Sequence, residues 1–393
     1  MKKPHFIIKN KFQKRRELYS DILTPRILKE VCERVTGCRE YTCKFDDTGY
    51  NEGRLAIIKY KGRTNFISLS EDKVMGRNSS FQSFPTALVR YHQEKNKNKK
   101  IFFYFLSSSG NYETLYFKFI YGLMKTAGVE FLNEDEFLTS RIPSFTAVDD
   151  IITSRDMNRD RNRSNQSTYL TRGSDNTIQI YGKTYGASKY ETTLLCLALS
   201  KIATTKIELY EIREGSLRIL PAPAREVINN LGTIKIISTD LIMERREFEE
   251  NDSLRSPQYI FNLLERLGPK KCAFCNCEIP QLIEGAHIWS VADIKRESTL
   301  SQTQKLQKAI DGNNGIWLCQ NHHKLLDFHI LTINNDGKLK IQSDLDDTSL
   351  NYIKNITLTN QIPYTILTSQ FICYLEKRNG VFQDSSYQIL AQI

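Results

Sequence analysis

Apolar positions recur along this chain with two spacings, and the changes from one to the other outline its elements. A helical spacing runs from Pro25 to Arg34. Two alternating stretches follow, Leu55 to Tyr60 and Thr64 to Leu69, and read as strands joined through the turn Lys61-Gly62-Arg63. The unbroken apolar run Ile101 to Leu106 predicts a buried strand ended by Ser107-Ser108-Ser109-Gly110, with a helix over Glu113 to Ala127. Residues 1–150 therefore read as one N-terminal α/β domain.

The pattern then breaks off. Between Thr153 and Thr168 apolar side chains are nearly absent and four arginines appear, so residues 151–168 are expected to form a polar linker or exposed loop. Those arginines would either order on a phosphate backbone or stay solvated, and spacing does not choose between the two. Alternation resumes over Thr177 to Tyr181, Lys206 to Ile212 and Thr233 to Ile237. With a helical stretch at Glu191 to Ile202, it gives a second α/β unit over 169–255. A short helix over Gln258 to Leu267 ends at Gly268-Pro269 and opens a region at 256–345, leaving 346–393 as an extension expected to pack on it. No internal repeat or low-complexity tract interrupts the sequence. The predicted fold class is α+β with several domains.

Composition narrows this little. With 40% hydrophobic and 25% charged residues, the 393-residue chain has the make-up of a globular protein. It holds no apolar run of bilayer-spanning length, and Met1-Lys2-Lys3-Pro4 leads into no secretory hydrophobic segment, so a cytoplasmic protein without a membrane partner is expected. A net charge of +10 favours a polyanionic partner, although the same excess also serves solubility. Nine cysteines in such a setting do not suggest a disulfide framework, and their positions matter more than their number.

Cys272-Ala273-Phe274-Cys275 is one C-x2-C pair, and Cys319-Gln320-Asn321-His322 is a C-x2-H pair. Three thiolates and an imidazole from two such knuckles meet the tetrahedral demand of a structural zinc. Cys277 lies close enough to compete as a ligand, but the C-x2-C spacing suits a knuckle better. Cys32, Cys38, Cys43, Cys196 and Cys373 have no comparable partners and read as small hydrophobes. Four of the six histidines fall between 287 and 329. If Leu318 to Leu326 is helical, His323 and Asp327 lie on one face at i and i+4, where a ring nitrogen and a carboxylate oxygen can share a divalent cation. The plainer alternative is a surface aspartate beside an incidental histidine.

The order Cys-x2-Cys, Gly285-Ala286-His287-Ile288, Asn314-Gly315-Ile316-Trp317-Leu318-Cys319-x2-His322-His323-x3-Asp327 resembles the HNH nucleases, in the branch whose zinc knuckles brace a β-hairpin and helix. The resemblance implies a C-terminal ββα-metal nuclease domain. It implies His287 as general base, Asn314 orienting it through a side-chain hydrogen bond, and His323 with Asp327 holding a catalytic divalent cation, Mg²⁺. It also implies that Cys272, Cys275, Cys319 and His322 hold zinc and do no chemistry. Many such enzymes carry a further metal ligand just before the base, where this chain has Ala286. The cation would then keep extra waters or borrow Glu284, two residues earlier on the same strand face. His329 reads as structural.

A site this small grips phosphates without reading sequence, so the preceding regions are expected to supply recognition of double-stranded DNA. Gly76 to Gln82 and Lys95 to Lys100 carry suitable side chains; Gly182 to Gly186 lacks the spacer of a phosphate-binding loop. The function expected is a restriction-type endonuclease, a homodimer paired with a cognate DNA methyltransferase. The alternatives are a modification-dependent or ligand-activated HNH nuclease in phage defence, and a non-enzymatic zinc-ribbon DNA-binding protein.

Overall fold

Thr24 accepts a hydrogen bond from the Ile27 amide at 3.3 Å and Pro25 fills the first helical position, so helix α1 (Pro25–Thr36) begins where the apolar spacing begins. The computed structural model describes residues 24–38, 40–45, 55–70, 83–106, 114–158, 168–183, 188–212, 222–251, 256–380 and 386–390. Within it the chain divides into two compact units, 1–160 with 185–204 and 220–235, and 161–184 with 205–219 and 236–393. Among the described residues no helix is long and apolar enough to cross a membrane.

The first unit is built on a five-stranded sheet of strands β1 (Thr42–Phe45), β2 (Leu55–Tyr60), β3 (Arg63–Ser70), β4 (Lys99–Phe105) and β5 (Glu130–Phe131), in that order. β2 and β3 form the expected hairpin, with Lys61 and Gly62 both at positive φ. β3, β4 and β5 are parallel, so longer connections separate them. On one sheet face Cys43, Ile58 and Ile67 pack with Leu28, Val31 and Cys32 of α1. On the other, Phe103 and Phe105 meet Phe84 of α2 (Ser83–Gln93) and Tyr121 of α3 (Leu115–Thr126). Cys32, Cys43 and Cys196 are buried as expected of small hydrophobes, whereas Cys38 is half-buried and Cys373 exposed.

Two readings of the sequence change here. Thr153 to Met157, expected in the linker, belong to helix α4 (Val148–Met157), and Arg155 is fully buried with its Nε 2.9 Å from Glu191 Oε1. Glu191 also accepts the Tyr116 hydroxyl at 3.0 Å. A cation that meets its counter-charge in the interior looks polar in sequence yet sits like a core residue. The remainder of the arginine-rich stretch, 159–167, lies outside the described residues, as do Gly76 to Gln82 and 184–187. The stretch 169–255 is moreover divided between the units: helices α5 (Ser188–Ile202) and α6 (Ala222–Asn230) fall in the first, while the strands on either side of α5 fall in the second. α5 is apolar almost all round, with Leu194 to Leu199 buried, and it packs on α3.

The second unit holds a four-stranded sheet, β6 (Thr168–Arg172), β7 (Ile178–Lys183), β8 (Ile207–Ile212) and β9 (Ile234–Thr239). Helices α7 (Leu241–Glu250) and α8 (Pro257–Leu267) follow, and Tyr169 meets Phe261 of α8 edge to face at 5.1 Å. Next comes an antiparallel hairpin of β10 (Ile283–His287) and β11 (Gly315–Cys319), with α9 (Val291–Arg296) and α10 (Gln302–Ile310) between the strands and α11 (Gln320–Asp327) directly after them. This is a ββα arrangement. A second antiparallel sheet, β12 (Leu331–Ile333), β13 (Leu339–Gln342) and β14 (Tyr387–Ile389), closes the unit with α12 (Asp347–Ile356) and α13 (Ser369–Asn379). One apolar core runs through all of this, from Tyr169 and Ile212 through Phe261, Trp317 and Leu326 to Phe371 and Leu375.

Removing one partner of the Arg155–Glu191 pair strands a buried charge, so Arg155→Met is expected to lower unfolding free energy by about 3–5 kcal/mol. Adding Glu191→Leu recovers most of it in urea titration; equal stability of the single variant and wild type would contradict the buried pair.

Candidate active site

The Cys272 knuckle is shaped by backbone bonds from Cys272 N to Cys277 O (2.9 Å) and from Ala273 N to Trp317 O (2.9 Å), which hold it against β11. Cys319 ends β11 and caps α11, putting His322 in the first helical turn. His322 Nδ1 lies 3.1 Å from Cys319 Sγ and 3.5 Å from Cys272 Sγ, and Cys275 Sγ is 3.9 Å from Cys319 Sγ. All four donor atoms fall within 4.8 Å of one another. Tetrahedral zinc with Zn–S bonds near 2.3 Å places its sulfurs about 3.8 Å apart, so this donor set fits. His322 Nε2 is 3.1 Å from Thr357 Oγ1, which lets Nε2–H donate outward and leaves the Nδ1 lone pair facing the thiols. Cys277 shapes the knuckle through its carbonyl and is not one of the four.

Across the hairpin, His287 pairs with Gly315 and Gly285 with Trp317. Both glycines are needed for space: a Cβ on Gly315 would stand 2.1 Å from the Tyr259 hydroxyl, and one on Gly285 would stand 2.5 Å from Leu263 Cδ1. Tyr259 of α8 thereby lies flat on the His287 ring, centroids 4.0 Å apart and planes within 11°, and its hydroxyl donates to the Ala286 carbonyl at 3.2 Å. His287 Nε2 sits 2.9 Å from the Ala309 carbonyl. A carbonyl only accepts, so Nε2 carries hydrogen and Nδ1 is the free base nitrogen. Burial is the main influence on this ring and holds its pKa down to about 4, against the bond to Ala309, while nearby His323 lowers it further.

The expected bond from Asn314 to His287 is not made. The fully buried Asn314 amide accepts from Trp289 N at 2.7 Å and donates to the carbonyls of Trp289 at 3.0 Å and Lys308 at 3.1 Å. It pins the segment after His287 to the turn of α10 that presents Ala309, one step removed from the ring. Backbone groups win because Asn314 sits in the turn before β11, surrounded by chain ends that need partners.

His323 lies between two carboxylates: Nδ1 is 2.9 Å from Glu284 Oε2 and Nε2 is 3.6 Å from Asp327 Oδ2. His323 and Asp327 share a helix face, and Glu284 turns toward His323 from the strand. Glu284, His287, His323 and Asp327 line one cleft of about 600 Å³, with Lys270 and Lys324 also on its walls.

Residues 272–334 match the family model of the HNH endonucleases. They form an HNH endonuclease domain. No curated protein matches the chain. The zinc-type cluster and the ββα hairpin thus belong to one HNH endonuclease domain.

Some contributors to the HNH domain lie outside the matched stretch. Arg378 of α13 donates to the carbonyls of Ile288 at 3.1 Å and of Leu326, and its Nη2 is 3.0 Å from His329 Nδ1. It therefore joins the end of the His287 strand to the end of the His323 helix, and accounts for His329 structurally. Tyr259, the Ala309 carbonyl and Arg378 left no signal in the motif spacing, because each arrives from a distant segment or through a backbone atom. Only Glu284 was announced, by the strand period.

Cys272→Ser is expected to lose zinc by mass spectrometry and to melt the HNH region well below wild type; retention of both metal content and melting temperature would contradict the cluster. Gly315→Ala should overpack the hairpin by about 1–3 kcal/mol, displace Tyr259 and slow DNA cleavage at least tenfold with zinc retained. Unaltered cleavage would show that Tyr259 does not set the His287 ring.

Proposed function

We propose that the chain is a site-specific, restriction-type endodeoxyribonuclease that hydrolyses one phosphodiester bond per HNH site. The observation carrying this is the meeting of His287, with its free Nδ1, and the Glu284–His323–Asp327 line in one cleft. His287 Nδ1 takes the proton of a water aligned with the scissile phosphate, while Nε2–H stays on the Ala309 carbonyl and steadies the imidazolium that forms. Glu284 accepts Nδ1–H of His323, fixing the tautomer that turns the Nε2 lone pair toward Asp327. His323 Nε2 and Asp327 Oδ2, 3.6 Å apart, are the donors that would hold Mg²⁺. A bound divalent cation supplies relief of charge on the phosphate and the departing 3′ oxygen. In this reading Glu284 orients a ligand instead of replacing the one missing at Ala286.

Recognition belongs to the chain outside 272–334, since the hairpin and helix meet only the backbone of DNA. Cutting both strands at a symmetric site calls for two copies, hence a homodimer, and protection of the host's own sites calls for a cognate methyltransferase. Discrete fragments from unmodified plasmid support this reading. Cleavage confined to methylated plasmid, or a smear that needs an added nucleotide, would replace it with the modification-dependent or ligand-activated form.

His287→Ala is expected to slow cleavage by roughly 10²–10⁴-fold while leaving duplex binding unchanged; nicking at a near wild-type rate would refute the base assignment. The neutral ring is the active form and its pKa is about 4. The rate per bound duplex should therefore stay level from pH 7 to 5 and fall only as pH drops through about 4. A half-point near 6.5, the ordinary imidazole value, would show that the ring is not shielded as described.

A further inference from the structure

Outside the catalytic cleft, the first unit carries a second groove of about 460 Å³ that no step of the chemistry uses. Strand pairing builds it. Lys44 stands opposite Ile57, which stands opposite Phe66, and Thr42 stands opposite Lys59, so these side chains share one sheet face while Cys43 and Ile58 turn to the core under α1. α2 packs on β2, β3 and β4 and ends at Gln93, adding Arg90 and then Lys95 to the rim.

Among the described residues the rim thus has four cations, Lys44, Lys59, Arg90 and Lys95, and one carboxylate, Glu94. That carboxylate is engaged with the Asn96 amide of its own turn at 3.0 Å. Lys44, Lys59 and Lys95 are exposed and make no ion pair with any described residue. Lys44, Lys59 and Lys95, around a partly apolar floor, repel one another and are relieved by a polyanion laid along them. Among the described residues this lysine-bordered strand edge has Glu94 as its one acidic neighbour, which makes it complementary to a row of phosphates and poorly suited to an acidic protein's scattered charges.

We infer that this groove is a phosphate-backbone contact for the duplex that the HNH domain cuts, holding DNA at a second place on the chain. The inference rests on the DNA endonuclease reading but concerns binding alone, so it can fail while that reading stands.

The test uses the full chain with zinc, made inactive by His287→Ala, and fluorescence anisotropy of a labelled duplex across salt concentrations. Lys44→Gln/Lys59→Gln/Lys95→Gln is compared with a control of equal charge change, Lys29→Gln/Lys235→Gln/Lys338→Gln, at exposed sites that do not line the groove. Three lost phosphate contacts should weaken binding about ten- to fifty-fold near 0.2 M salt and reduce the slope of log affinity against log salt by about 2 to 3. The control triple should bind as the parent does. In the active background the groove triple should raise KM for DNA and leave kcat at saturating DNA unchanged, with zinc content and melting temperature as in wild type. Equal weakening by both triples, or an unchanged salt slope in the groove triple, would overturn the proposal. If the groove triple melts early, single Lys44→Gln and Lys59→Gln variants must each lower the slope by about one, and failure of both to do so overturns it equally. Loss of cleavage by wild type itself would instead strike the endonuclease reading.

Discussion

Everything in the nuclease domain hangs on the convergence of Cys272, Cys275, Cys319 and His322. Two of these donors lie in a loop before the hairpin, and two lie at the junction where β11 becomes α11. Joining them sets the angle at which the helix leaves the hairpin, and the helix carries His323 and Asp327. The apolar core shared with the rest of the unit packs these elements, and structural zinc, which contributes on the order of 10–16 kcal/mol in small zinc folds, fixes the angle between them. Arg378 adds a second tie, from outside the matched stretch, between the same two elements.

Around that frame the two imidazoles of the cleft are set apart by what each one touches. His287 is half-buried beside the Tyr259 ring, the Ala309 carbonyl and the glycine-lined hairpin, and burial holds its pKa down to about 4. His323 is treated oppositely, flanked by Glu284 and Asp327, whose negative charges suit a cation site. Two imidazoles in one cleft thus meet different surroundings, one an aromatic ring and a carbonyl, the other two carboxylates.

The pattern of the sequence made much of this legible, for identifiable reasons. α1, the β2–β3 hairpin, β4 and α8 were readable because each is a local pattern with its own start or stop: Pro25 after Thr24, the Lys61-Gly62 turn, the run Ile101 to Phe105, and Gly268 after Leu267. The knuckle residues and the His323–Asp327 pair were readable because metal chemistry imposes short spacings. Arg155 was misread because a counter-charge from a distant helix is invisible to local polarity. The bonds of Asn314 were misread because backbone carbonyls from two other segments compete for its amide, and backbone geometry leaves no trace in residue type. The passage of the chain between two units over 169–255 was hidden too, since a buried helix and a surface helix differ only in how far round the apolar face extends.

The central claim is that one cleft with a shielded imidazole and a carboxylate-flanked imidazole hydrolyses DNA. Incubating the purified protein with phage DNA and Mg²⁺ and sequencing every terminus tests it most directly. The proposed function predicts new 5′-phosphate and 3′-hydroxyl ends recurring at one short sequence. No ends above those of a metal-free control would contradict it.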